Sequence, residues 1–183
     1  MTKLFLLTLL FQSLIAVSEH HGSAQSIAPP IAGGTTPAAP SSAAQEFLDA
    51  HNKARAEVGV GPLKWSIMLA NATSIITRYQ RDKRSCSFAN LSSINYGQLQ
   101  LLFRGLVAIP PQIAVDIWVA EKKFYNYANN SCIQGHECFS YTQVVWKNSL
   151  ELGCAQATCS NNHTILTICF YNPPGNVIGE KPY

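Results

Sequence analysis

Residues 152–171 read LGCAQATCSNNHTILTICFY. Two β-rich runs, 152–159 and 164–171, flank the turn-like SNNH, the pattern of an antiparallel hairpin. A further strand is expected at about residues 98–103, QLQLLF. Elsewhere the apolar residues recur at helical spacing. Helices packed with antiparallel strands give the α+β class.

Three helices are expected. Ser41 and Ser42 are cap candidates for the first, which runs to about residue 58 and is stopped by Gly59 and Gly61. Phe47, Leu48, Ala50, His51, Ala54 and Val58 form its apolar stripe. His51, alone within that stripe, is expected to be a hydrogen-bonded core residue. The second helix starts after Ser66 and ends near Lys83, with apolar surface from Ile67, Leu69, Ala70, Ile75, Ile76 and Tyr79. The third opens at Pro110 and Pro111, since proline suits a first turn. Its stripe is Ala114, Ile117, Trp118, Phe124 and Tyr125. Glu121 follows Ile117 and Trp118 by four and three residues, in the middle of that apolar face, while Lys122 and Lys123 point away. A carboxylate there is costly unless it finds hydrogen-bond partners.

The first 24 of the 183 residues have the form of a secretory signal peptide. Lys3 supplies the charged start, residues 4–17 the apolar stretch, and small residues around 18–24 the cleavage region. The run is shorter than the ~20 residues of a membrane span. Residues 25–43 are rich in Pro, Ala, Ser and Thr and read as a linker. Residues 44–183, about 140 in number, suffice for one domain with one core. The net charge of +3 is too mild to argue for nucleic acid. Arg78, Arg81, Lys83 and Arg84 read as a solvated helix end.

The six cysteines, Cys86, Cys132, Cys138, Cys154, Cys159 and Cys169, are an even set in a secreted chain and read as three disulfides with fifteen open connectivities. Cys132, His136 and Cys138 have a loosely zinc-like spacing, but disulfides suit the compartment better. Sequons for N-glycosylation start at Asn71, Asn90, Asn129 and Asn162. His51, His136 and His163 lie in no nucleophile motif, and G-x-S-x-G, H-E-x-x-H and phosphate-loop patterns are missing. With every cysteine oxidised, thiolate catalysis is not expected.

Three segments carry a resemblance: AHNKARAEVGVGPLKW (50–65), SYTQVVWKNSLELGCA (140–155) and CFYNPPGNVIGEKPY (169–183). They resemble the plant pathogenesis-related protein 1 family, within the superfamily of cysteine-rich secretory proteins, antigen 5 and pathogenesis-related 1 proteins. The resemblance spans residues 44–183. It implies a three-layer α-β-α sandwich with a central antiparallel sheet. It also implies the pairing Cys86–Cys159, Cys132–Cys138 and Cys154–Cys169. Many members hold a metal between two histidines and two glutamates. The corresponding positions here are Asn90, Gln98, Glu121 and Ser140, so one ionisable ligand of four is kept. Such a set should not hold zinc, and no cofactor and no catalysis are expected. Glu121 would face a cleft and take hydrogen bonds from Gln98 and Ser140.

The resemblance also implies function. Family members bind sterols, and the matching segment makes Gln143, Val144, Val145, Trp146 and Leu150 the candidate contacts for a sterol or other lipid. The expected protein is secreted to the apoplast or cell wall, monomeric and antimicrobial. An alternative is a precursor from which residues 173–183, PPGNVIGEKPY, are released between Asn172 and Pro173 as a signalling peptide with its own receptor. The preceding CFYN departs from the family pattern, with Phe170 where asparagine is usual. A hydrolase is the weakest reading, because neither cleft histidine is present.

Overall fold

The computed structural model describes residues 42–105, 107–159 and 164–183. The expected signal peptide, nearly all of the linker, the hairpin turn and Asn162 lie outside the described residues. Ser42 and Ala43, expected in the linker, already belong to helix α1 (Ser42–Ala56). This helix ends where Gly59 takes a positive φ of 72°. Its buried stripe includes Phe47, His51 and Ala54 as expected, and also Arg55.

The hairpin forms as β5 (Glu151–Thr158) and β6 (Thr164–Asn172), with Cys154 directly opposite Cys169. β2 (Gly97–Arg104) pairs antiparallel with the other edge of β6. One strand of this sheet was not expected. β1 (Lys64–Trp65) pairs parallel with β5, so the sheet runs β1-β5-β6-β2 and is mixed rather than wholly antiparallel. Asn52 fastens the approach to β1: its side chain accepts from Leu63 N–H at 2.7 Å and donates to the Leu63 carbonyl at 3.2 Å.

Every residue of β6 from 164 to 171 is buried. A strand covered on both faces reads as a continuous apolar run, which is the character of TILTICFY. Ile165, Cys169 and Tyr171 enter a core with α1, α3 (Pro111–Val119) and α4 (Phe139–Val144). Leu166, Ile168 and Phe170 enter a second core with Leu69 of α2 (Ile67–Lys83), Cys86 and Leu91. Alternation along one strand thus gives three layers.

Helix α2 has the expected bounds, and Leu69 and Ile76 of its expected apolar set face the core, but the rest of its facing differs. Leu69, Thr73, Thr77 and Gln80 are buried, while Ile67, Met68, Ile75 and Tyr79 stand out in solvent. The inward threonines return their hydroxyls to the helix backbone, Thr73 to Leu69 and Ala70, and Thr77 to Thr73. Small side chains let the helix approach the sheet closely. A Cβ at Gly153 of β5 would overlap the backbone of Leu69 and Ala70. The third helix differs too. It is α-helical only to Val119 and tightens into a 3₁₀ turn, Ala120–Phe124. Its buried face is Pro111, Ala114, Val115 and Trp118, and Ile117 is exposed.

A two-stranded ribbon, β3 (Tyr125–Asn126) with β4 (Ser131–Cys132), follows. The disulfides are Cys86–Cys159, Cys132–Cys138 and Cys154–Cys169, as the resemblance implies. Among the described residues no helix is long and apolar enough to cross a membrane.

Candidate functional site

Glu121 sits on the 3₁₀ turn, half-buried, and its Oε2 accepts from the backbone N–H groups of Ser140 at 2.9 Å and Tyr141 at 3.1 Å. These are unpaired donors in the first turn of α4, where a carboxylate also complements the helix dipole. The expected partners are corrected in two respects. Ser140 donates through its backbone, and Gln98 is engaged elsewhere, donating to the Leu91 carbonyl at 3.3 Å. Asn90 closes a local turn by accepting from Ser92 N–H at 3.1 Å. The four positions therefore divide: Glu121 and Ser140 meet at the start of α4, while Gln98 and Asn90 shape the loop before β2. Among the described residues no group of three or more His, Cys, Asp or Glu could hold a metal ion. One carboxylate already bound to two amides, beside neutral amide and hydroxyl side chains, does not fit zinc. His136 is no substitute within this arrangement, since its ring stacks on Phe124 with centroids 3.7 Å apart.

The opposite end of α4 is held by a residue the sequence reading missed. Arg55, only 1% exposed, donates to the carbonyls of Val144 at 3.3 Å, Trp146 at 2.8 Å, Ser149 at 3.0 Å and Gly61 at 2.7 Å. A guanidinium fork suits such convergent acceptors. Burial lowers its pKa to about 10, which leaves it charged at neutral pH. The one available signal was its place one residue after Ala54 of the apolar stripe. A six-residue helix is too short to stand alone; Glu121 and Arg55 satisfy its two ends.

His51 is the core histidine expected. Nδ1 lies 2.7 Å from the Phe47 carbonyl, which can only accept, so this nitrogen carries the proton. Nε2 then accepts from the Tyr171 hydroxyl at 2.7 Å. Burial lowers the histidine pKa to about 4 and pushes the Tyr171 phenol well up.

The candidate lipid contacts separate by burial. Gln143, Val144, Val145 and Trp146 are buried, and Leu150 alone is exposed. Gln143 binds the tail, accepting from Gly175 N–H at 3.0 Å and donating to Ser149 Oγ at 3.2 Å. Trp146 still reaches the surface indirectly. It lines a cavity of about 430 Å³ with Phe139, Val177, Ile178, Pro182 and the Cys132–Cys138 loop. Its indole nitrogen is buried without a hydrogen-bond partner among the described residues.

The last eleven residues pack on the domain. Ser149 Oγ donates to Pro173, Lys147 N–H to Pro182, Asn130 to Glu180 and Lys181 to Ala128. Tyr183 stacks on Tyr127 at 4.7 Å. Asn172, on the other side of the candidate cleavage point, ends β6 with its carbonyl bonded to Leu150 N–H and its side chain to Glu151. Asn71, Asn90 and Asn129 are all exposed.

The chain is similar over 143 residues to the STS14 protein of Solanum tuberosum, at 68% identity, covering 78% of this chain and 66% of that protein. It is 41% identical to pathogenesis-related leaf protein 6 of Solanum lycopersicum, covering 76% of this chain and 82% of that one. Among solved structures, venom allergen-like protein 4 of Schistosoma mansoni has a TM-score of 0.60 and 26% identity, covering 79% of this chain and 95% of that chain. NaASP2, solved with Zn²⁺, has a TM-score of 0.56 and 17% identity, covering 82% and 90%, a likeness of fold alone. Residues 48–171 match the cysteine-rich secretory protein (CAP) family, and with its three layers and three disulfides the chain belongs to that family.

Proposed function

We propose that the chain is a secreted, non-catalytic plant defence protein that binds a sterol or another lipid to antimicrobial effect. The observation that carries the lipid reading is the cavity beside Trp146, with Phe139 53% exposed and Ile178 fully exposed at its rim. It extends the segment implied by family resemblance onto an accessible apolar surface, while the buried members of that segment form its backing. The pathogenesis-related relatives support the defence reading. Glu121 supports the absence of catalysis: its carboxylate is committed to the amides of α4, and neutral groups stand at the other three positions. Secretion to the apoplast or cell wall accords with the sequence of residues 1–24 and with three disulfides. A monomer without nucleic-acid partners suits the mild charge.

Titration of the secreted protein with a fluorescent sterol tests this reading. Saturable binding at micromolar protein, weakened several-fold by Ile178→Glu, is expected. Absence of saturable binding would contradict it.

The second reading, release of residues 173–183 as a signal to a receptor, rests on the sequence pattern of the tail. The packing adds a condition: the tail must be peeled from Ser149, Lys147 and Asn130 before Asn172 can enter a protease in extended form. Peptides from the secreted fluid that begin at Pro173 would support it, and a tail that stays attached throughout a defence response would count against it.

A further inference from the structure

Helix α2 turns several large apolar side chains outward, and two of them, Ile75 and Tyr79, border a second cavity. Ile75 (63% exposed) and Tyr79 (51%) face Phe88 (56%) across a space of about 610 Å³ between α2 and residues 87–94. Scattered apolar side chains are ordinary on a surface, but a contiguous set around a concavity marks a binding site.

The loop wall is fixed before any ligand arrives. The Cys86–Cys159 disulfide anchors its start. Gln100 brackets Ala89, accepting from its N–H at 2.8 Å and donating to its carbonyl at 3.0 Å. Gln98 holds Leu91. Such preorganisation lowers the entropic cost of binding.

A second observation defines the ligand. Gln80 lines this cavity, is 6% exposed, and its Oε1 has no hydrogen-bond partner among the described residues. A buried acceptor left unpaired is costly, and a donor from a ligand relieves that cost. The terminal torsion of glutamine is soft, so Oε1 can turn into the cavity without giving up a hydrogen bond. Among the described residues Arg84, set 5.8 Å over the Tyr79 ring, is the one charged residue of the lining. Among the described residues no carboxylate lines the walls to receive a cation, and the partner that Oε1 lacks is a donor, which a deprotonated acid group does not supply.

We propose that this cavity binds a neutral apolar molecule bearing a hydroxyl group, an alcohol or phenol, whose O–H donates to Gln80 Oε1. The site lies on the α2 side of the sheet, apart from the cavity at Trp146, and stands independently of the sterol reading.

The experiment is calorimetric titration of the secreted protein carrying Ser92→Ala, which keeps a glycan off Asn90 at the cavity wall. The probes are 2-naphthol and 2-methoxynaphthalene, alike in shape but differing in the donor. 2-Naphthol should bind saturably and about tenfold more tightly than its methyl ether, the worth of one buried neutral hydrogen bond. Gln80→Leu should remove that preference. Phe88→Glu, at an exposed position, should abolish binding of both probes, and Ile178→Glu at the other cavity should change neither. Equal affinity for the two probes, no saturable binding of 2-naphthol, or binding that survives Phe88→Glu would each overturn the proposal. The probe pair and Phe88→Glu decide the matter even if Gln80→Leu fails to fold.

Discussion

Two ionisable residues carry structural duties that a sequence marks only as anomalies. Glu121 was legible as a misplaced carboxylate and Ser140 as a donor to it through the resemblance, but Tyr141 and the use of backbone amides were not, because α4 has no pattern of its own. Glu121→Ala leaves two first-turn amides of α4 without their acceptor and should cost about 1–2 kcal/mol in urea unfolding. Glu121→Gln keeps an acceptor and should cost less; equal losses would show that the hydrogen bonds do not matter. His51 predicts a pH dependence. Its pKa is about 4 in the folded protein against 6.5 as the ordinary value. Above pH 6.5 the imidazole is neutral in both states. Between 6.5 and 4 the unfolded chain binds the proton first, so stability falls with pH, by about 3 kcal/mol in all. Unfolding measured at pH 7 and pH 4 should show this loss, and His51→Gln should remove much of it. An unchanged acid loss in that variant would assign it to other groups.

At the scale of elements, boundaries were easier to read than faces. Ser66 and Lys83 bracket α2 as expected, yet Ile67, Ile75 and Tyr79 point outward while Ile76 packs on the second core. Apolar periodicity assumes that large side chains face the core. Here close approach to the sheet at Gly153 favours threonines, whose hydroxyls are satisfied within the helix. Gly153→Ala tests this directly. Its Cβ would meet main chain that cannot swing aside, so a loss of at least about 2 kcal/mol is expected in urea unfolding. A neutral substitution would mean that helix and sheet separate freely. α4 was illegible for a related reason: six residues give too short a pattern, and the helix depends on Glu121 and Arg55 from distant parts of the chain. β1 was not expected because two residues carry no alternation, and its approach is fastened by Asn52.

For the whole molecule, the hairpin and the long third-layer partner α2 were enough to place the chain in the α+β class. The cysteine pairing needed the resemblance, since fifteen connectivities fit six cysteines. The tail was legible as a pattern but not as a packed element, because its contacts are with α4 and with loops separated from it by dozens of residues. What emerges is a three-layer domain whose cleft positions serve architecture: Glu121 holds α4, and Gln98 and Asn90 shape the loop that walls the second cavity. Zinc should therefore have nothing to stabilise. The most direct measurement is the thermal midpoint of the disulfide-bonded protein in chelator and across a zinc titration. The account predicts the same midpoint throughout. A site occupied at a hundred times its Kd would add about 2.7 kcal/mol, so a saturable rise of several degrees that Glu121→Ala abolishes would contradict it.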